Sequence, residues 1–416
     1  MITRALNNRV FEDLSAFRII NIKGARQCGK TTVVKQLAAE YGFKYFTFDN
    51  IQDLEYARKV PMEFVELADE NTVVIDEIQM MPEILPYIKM QVDKKNRAGQ
   101  FLITSSADLL KMAKVFESLA GRSVEYELMT LSIAEIYKID VNIIDLLLST
   151  DFREHFGNLK ESGADVVFKH AAIGGFPEVQ KLTVRQRKNW FSSYLRSRVI
   201  KDIEEISIGG LQKLEMLPKM LRYLSWQAGD LLNFSSVAVE LGIDLKTVKS
   251  YIDFYDTLFI ARILSPYFVN LSKRIVRTPK FYFNDSGLLA YFLNVDTLPD
   301  KKFNGKIIEN FVFNELLKSN STAQTSVDFY FFRDKSQYEV DFVLEYGQGD
   351  LIAVEVKAKE SLKSSDFLGI RKLKRLSGLK LQKAFVFYLG SLIYPEKTEE
   401  GLDIIVLPIS VLKGLK

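Results

Sequence analysis

Cysteine is almost missing from this sequence. Cys28 is the only one in 416 residues, which excludes an internal disulfide framework. Histidine is scarce too. His155 and His170 stand alone, too few and too isolated for a zinc site, and packing is their expected role. No apolar run reaches the ~18 residues needed to span a bilayer. The first residues, MITRALNNRVFEDL, are polar where a signal peptide needs an apolar core. These absences lead us to expect a cytoplasmic protein that makes no use of a membrane. A charge surplus is also lacking. Basic residues number 56 and acidic ones 53, a net of +3, which argues against a polycation that coats nucleic acid.

What is present is globular. Apolar residues make up 47% and charged residues 26%, more apolar than a disordered chain. The length suits two to four domains at roughly 100–200 residues each. Residues 1–130 alternate helical patterns with the short apolar runs Arg18–Ile22, Tyr45–Phe48, Thr72–Ile75 and Phe101–Thr104. That alternation predicts a parallel α/β sheet. Val73-Val74-Ile75 and Phe101-Leu102-Ile103 have the unbroken apolar character of strands buried on both faces. From Leu131 to about Ile206 the pattern is helical, interrupted at Gly174-Gly175-Phe176-Pro177, and Gly209-Gly210 reads as a linker.

In residues 211–300, Ser235 and Ser236 read as a helix cap before Val237–Leu241. Gly242 breaks that helix, and Val248, Tyr251, Ile252, Tyr255 and Leu258 form the stripe of a second one. Two short helices with a glycine turn predict a helix-turn-helix, with Phe259–Leu264 and Lys280–Phe283 as a wing. From residue 301 onward, a helix over Ile307–Leu317 precedes strand patterns at Asp328–Phe332, Glu339–Glu345, Leu351–Val356, Ala384–Tyr388 and Asp403–Val406.

Gly24-Ala25-Arg26-Gln27-Cys28-Gly29-Lys30-Thr31 fits the P-loop pattern, and Thr32 continues it into a helix pattern, Thr32–Ala39. The apolar run before it supplies the strand–loop–helix context the motif requires. Such a loop wraps phosphate in backbone N–H groups, and the helix N-terminus favours the negative charge. Lys30 is expected to reach the β- and γ-phosphates of ATP, and the Thr31 hydroxyl to ligate Mg²⁺. Some 45 residues on, Thr72–Ile75 ends in Asp76 and Glu77. There Asp76 would hold Mg²⁺ through water, and Glu77 would orient or deprotonate the attacking water.

Three nearby residues each admit two roles. Ser105-Ser106 after Phe101–Thr104 fits a γ-phosphate sensor or a cap for Ala107–Met112. Arg122 fits an arginine acting in trans in a neighbouring copy's site, which would make the protein a homo-oligomer, or an ordinary surface arginine. Cys28 beside Lys30 and a helix N-terminus fits a thiol of lowered pKa, or a variable position of the loop.

A second constellation lies near the C-terminus. Glu339-Val340-Asp341 is followed fourteen residues after Asp341 by Glu355-Val356-Lys357. Residues i and i+2 of a strand share a face, so Glu355 and Lys357 project together, and a hairpin or adjacent strand brings Asp341 beside them. Two carboxylates can hold Mg²⁺, with a lysine to position or activate water against a phosphodiester. Glu309 on the preceding helix is a further candidate ligand or base. The same residues also fit a surface ion pair.

Basic residues gather in three segments. Val184–Lys201 carries Arg185, Arg187, Lys188, Arg196, Arg198 and Lys201 without an acid, interleaved with Trp190, Phe191 and Tyr194. Lys273, Arg274, Arg277 and Lys280 gather on the wing. Residues 357–383 hold nine Lys/Arg against two acids. Such clusters suit DNA phosphates or a solvated or partner-facing surface.

Taken in order, GARQCGKTT (24–32), IDEIQ (75–79), LAGR (119–122), GGFPEV (174–179), KFYFNDSGL (280–288), IENFVFNEL (308–316), EVDFV (339–343) and VEVK (354–357) make a pattern. It resembles bacterial and archaeal AAA-type P-loop ATPases that carry a C-terminal domain of unknown function related to PD-(D/E)XK nucleases. The resemblance implies an α/β architecture in four parts. These are a P-loop NTPase (AAA+-like) core at 1–130, a helical lid at 131–208, a winged-helix-like domain at 209–300 and a PD-(D/E)XK nuclease-like domain at 301–416. It also implies a set of Glu309, Asp341, Glu355 and Lys357 around a second Mg²⁺ or Mn²⁺. The family's Gly-Ser-Ser after the core strand is altered, since Ser105 and Ala107 replace its first and third residues. The expected activity is Mg-ATP hydrolysis coupled to DNA binding, with DNA cleavage or an inactive nuclease-like interaction module as the two forms of the C-terminal half.

Overall fold

The computed structural model describes residues 2–106, 119, 121–149, 164–199, 215–268, 278–297 and 302–413. The Ala107–Met112 helix, the Gly209-Gly210 linker, His155, Lys201, Lys273, Arg274, Arg277 and the side chain of Arg198 lie outside the described residues. Met1–Leu131 with Thr257–Ile260 make one compact unit, and Ser132–Asp256 with Ala261–Lys416 make a second.

In the first unit five strands pair in parallel: β1 (Ile19–Lys23), β2 (Lys44–Thr47), β3 (Val73–Asp76), β4 (Phe101–Ser105) and β5 (Ser123–Glu127). Their order is β2-β3-β4-β1-β5. Side chains alternate across the sheet, as strand geometry requires. Ile19, Val73, Ile75, Phe101 and Ile103 face one core with Phe64, Ile84 and Ile88. Ile20, Ile22, Val74 and Leu102 face the other core with Val33, Val34 and Leu37. Burial of each such side chain contributes roughly 1.5–3 kcal/mol. The strand order has a functional consequence. It sets the C-terminal end of β4 between those of β1 and β3, the edge at which open α/β sheets place their ligands.

The second unit contains two sheets. β6 (Ala261–Leu264) and β7 (Lys280–Phe283) form an antiparallel pair. β8 (Asp328–Arg333), β9 (Glu339–Tyr346), β10 (Asp350–Lys357), β11 (Leu381–Tyr388), β12 (Tyr394–Lys397) and β13 (Asp403–Pro408) form a mixed sheet in the order β12-β13-β11-β10-β9-β8. The expected helix pair is present at Phe234–Leu241 and Leu245–Thr257, and its stripe Val248, Tyr251, Ile252, Tyr255 and Leu258 is buried. The first cap differs from expectation. The Asn233 side chain, not a serine, accepts from the amides of Ser235 and Ser236 at 3.0 and 3.1 Å, because Asn233 is the last residue with extended backbone.

Three motifs of the second unit prove to be packing devices. Asp285 caps the helix Ser286–Leu293 and also accepts from the Gly175 amide at 2.7 Å. Gly174 and Gly287 meet there so closely that a Cβ on Gly174 would lie 2.1 Å from Asp285 Oδ1, and one on Gly287 2.1 Å from the Ile173 carbonyl. From the helix Asn304–Asn320, Asn310 accepts from the Phe283 amide at 2.9 Å, and Asn310 and Asn314 donate to its carbonyl. Among the described residues no helix is long and apolar enough to cross a membrane.

Candidate functional site

The first site is built where β1 ends. The loop after it leads into the helix Lys30–Tyr41. Gly24 admits no side chain, since a Cβ would stand 2.2 Å from the Leu128 carbonyl. Gly29 starts the helix at φ 109°, a conformation open to glycine and costly for other residues. From behind, buried Arg4 donates to the carbonyls of Cys28 and Met129 at 2.9 and 2.7 Å and fixes the loop. The Lys30 side chain, 3% exposed, donates to the carbonyls of Gly24 and Ala25 at 2.9 and 3.0 Å. Thr31 is half-buried and Thr32 exposed on the first turn, which carries no acidic residue. The helix N-terminus with its dipole and Lys30 thus converge on one spot suited to phosphate.

The acids at the end of β3 are held differently from each other. Asp76 is buried. The Tyr45 hydroxyl donates to its Oδ2 at 2.9 Å, and Thr104 Oγ1 donates to its Oδ1. Glu77 turns sharply away at φ 57°, ψ 49°, with its amide donating to Thr104 Oγ1 at 3.0 Å. That turn carries its carboxylate to 4.0 Å from Lys30 Nζ. Gln79 donates to the Glu77 carboxylate and to Ser106 Oγ at 2.8 Å. Burial alone would raise the pKa of Glu77. Lys30, Gln79, Ser106 and Arg26 outweigh it and hold the carboxyl below the usual glutamate value, so it is ionised at neutral pH.

Gln79, Thr104, Tyr45 and Arg4 were not legible as site residues. Gln79 sits inside the motif IDEIQ, two residues past Glu77, which is its one local signal. Tyr45 and Thr104 are joined to the site by strand order, and Arg4 reaches it from the segment before the helix Leu6–Asp13.

Cys28 does not have the lowered pKa that its neighbours allow. Its side chain is buried and Sγ donates to the Leu128 carbonyl at 3.1 Å. Burial pushes the thiol up and outweighs Lys30 and Arg4. Arg122 is committed within its own unit. Its Nε and one terminal nitrogen contact the two oxygens of Asp93 at 2.6 and 2.9 Å.

The second constellation converges as the strand pattern requires. β9 and β10 are antiparallel neighbours. The Val356 amide donates to Asp341 Oδ2 at 2.8 Å, and the Asp341 amide to Glu355 Oε2 at 3.3 Å. Lys357 pairs with Glu355. Glu309 faces the same group from the helix Asn304–Asn320, accepting from the Tyr282 hydroxyl at 2.6 Å.

One further member overturns an expectation. Lys280, read as part of a basic cluster on the wing that suits DNA phosphates or a solvated or partner-facing surface, is 1% exposed and lies 2.5 Å from Glu339, 3.4 Å from Glu309 and 3.7 Å from Asp341. It opens β7 and points inward, so no phosphate outside can reach it. Burial, then Asp341, push the Glu355 carboxyl up to about 8. Burial pushes Glu309 up to about 7 against the pull of Lys280. A divalent ion needs bare carboxylate oxygens at short range, and this set offers oxygens already bound to an ammonium, a hydroxyl or amides. Among the described residues no group of three or more His, Cys, Asp or Glu side chains is arranged to hold a metal ion.

Among the described residues several cations of the other basic segments are also paired. Lys188 meets Asp296 at 2.8 Å, and Arg187 donates to the Leu182 and Asp296 carbonyls. Phe191 and Tyr194 are buried and pack with Trp190 around Phe176. In the C-terminal stretch Lys359 pairs with Asp366, Arg371 with Glu396, Lys372 with Asp334 and Arg375 with Glu400. Lys383 donates to the carbonyls of Leu148 and Ser149.

Comparison with known proteins bears on these sites. Residues 16–137 match the family described as AAA domain. Residues 165–298 and 304–412 match two domains of unknown function, DUF8612 and DUF4143. Uncharacterized proteins of Mycobacterium tuberculosis and Mycobacterium bovis are each 24% identical over 398 residues, spanning 91% of this chain and 78% of theirs. Among solved structures, a Walker-type ATPase of Pyrococcus abyssi is 13% identical and covers 69% of this chain and 94% of its own, with a TM-score of 0.45. A Thermotoga maritima RuvB is 14% identical, covers 63% and 89%, and has a TM-score of 0.29. With the family match and the loop geometry together, the first unit carries an AAA-type P-loop ATPase domain.

Proposed function

We propose that the first unit binds and hydrolyses Mg-ATP, with Gly24, Ala25, Arg26, Gln27, Cys28, Gly29, Lys30, Thr31 and Thr32 as the phosphate-binding segment. The Thr31 hydroxyl would ligate Mg²⁺ and Asp76, whose oxygens already accept from Tyr45 and Thr104, would hold it through water, the ion's charge offsetting that developing on the phosphoryl oxygens. Lys30 contributes a buried positive charge next to the phosphate cradle. Glu77 orients water and accepts its proton, and Gln79 with Ser106 acts as a positioning pair for Glu77. The observation that carries this reading is the Glu77 carboxylate 4.0 Å from Lys30 Nζ, held by Gln79 beside the phosphate loop. The test is Glu77→Gln, which should keep ATP binding and lower kcat by about 10²–10⁴-fold, the usual range for losing a general base. Unchanged turnover would reject the role.

A second reading is nucleic-acid contact by the second unit, in which the nuclease-like fold acts without cutting. One groove favours it. Ser192, Arg196, Lys219, Arg222 and Asn294 line a groove of about 490 Å³ with no acid among its described lining residues. Reversing Arg196, Lys219 and Arg222 to glutamate should abolish salt-dependent binding of duplex DNA. Retention of that binding would reject the groove. An Arg122 finger serving a second copy would first have to release Asp93.

A further inference from the structure

The residues that match a metallonuclease set carry a consequence of their own. We propose that Lys280 is the resident cation of the Glu309, Glu339, Asp341 and Glu355 cluster, and that its ammonium takes the place of a divalent metal in the second unit. The unit is then a lysine-closed pseudo-metal site, and phosphodiester cleavage by metal chemistry is not among its activities.

The geometry supports this atom by atom. The ammonium faces three carboxylates from two elements at 2.5, 3.4 and 3.7 Å, with 1% of its side chain exposed. The Phe331 ring lies 5.5 Å from the same nitrogen. Lys357, which would assist a metal-bound water, is spent on Glu355. Asp341 Oδ2 accepts the Val356 amide, and Glu355 Oε2 the Asp341 amide. Glu339 Oε2 takes Arg333 at 2.9 Å. Gly229 lies against Glu309, since a Cβ added there would stand 3.0 Å from Glu309 Oε1.

The charges nearly balance: four carboxylates against Lys280, Arg333 and Lys357 leave one negative charge. A divalent ion entering this set would have to expel Lys280, whose charge would then be buried without a partner. The arrangement also ties together β7, the helix Asn304–Asn320 and β9, so the lysine acts as a staple.

The test uses the full chain without nucleotide and Mn²⁺ as the probe, with bound Mn²⁺ read by electron paramagnetic resonance. Wild type and Asp341→Asn should bind Mn²⁺ alike. Lys280→Gln should gain a site on the order of tenfold tighter or more, and Asp341→Asn added to it should remove that site. Mn²⁺ bound by wild type and lost in Asp341→Asn would overturn the proposal. A folded Lys280→Gln that gains no site would overturn it as well. If Lys280→Gln does not fold, the wild-type and Asp341→Asn pair decides alone. ATP hydrolysis plays no part in this readout, so its outcome is separate from the ATPase assignment.

Discussion

Lys30 and Lys280 are both buried lysines beside acidic residues, yet their surroundings differ in kind. Lys30 touches two loop carbonyls and stands 4.0 Å from one glutamate. Lys280 touches three carboxylates. The first retains most of its charge for an incoming anion, and it sits where a glycine loop and a helix N-terminus also favour one. The second has its charge cancelled by the fold. A lysine–carboxylate match in sequence therefore does not by itself indicate a reactive site. What decides is how many partners each charge already has.

The comparison can be broken by exchanging the consequences of losing each lysine. Lys280→Met leaves its carboxylates buried and uncompensated, a change that typically costs about 3–5 kcal/mol. Chemical denaturation should show that loss, and a variant as stable as wild type would contradict the staple. Lys30→Ala gives up two charge-assisted hydrogen bonds to carbonyls but also removes a buried charge, so its stability should fall by less, about 1–2 kcal/mol.

A smaller effect concerns pH. Glu309 and Glu355 have folded values of about 7 and about 8, above the ordinary 4.5. The folded state therefore binds protons more tightly than the unfolded state between those limits. Their contribution is fully present below pH 4.5, declines above it and is lost as the pH rises through about 7 and 8. Denaturation at pH 5.5 and 8.5 should show this decline, reduced in Glu355→Gln. An identical pH dependence in that variant would show that Glu355 is not held protonated.

The first site was largely legible because its chemistry is contiguous. Gly24 to Thr32 lie in one loop, and Asp76-Glu77 end an unmistakably apolar strand. What escaped was contributed by neighbours in the sheet rather than in the chain, as with Thr104 and Tyr45 on Asp76. β5 escaped because Ser123-Val124-Glu125-Tyr126-Glu127 is only partly buried at the sheet edge, so its polar residues mask the strand. β12 is also an edge strand and contains Pro395, which interrupts a ladder pattern. In the second unit Asp341, Glu355 and Lys357 were legible through strand periodicity.

The role of Lys280 was not legible. It follows Lys273, Arg274 and Arg277 in the chain, and nothing local shows that β7 begins there with its side chain turned inward. The basic stretch 357–383 misled for a related reason. Its cations meet Asp334, Glu396 and Glu400, acids that only the fold brings near.

The most direct test of the central contrast is steady-state ATP hydrolysis by Lys30→Ala in the full chain. Turnover should fall by about 10²–10³-fold or more, the scale of removing one preorganised positive donor, in a protein that remains folded. Turnover equal to wild type would contradict that contrast.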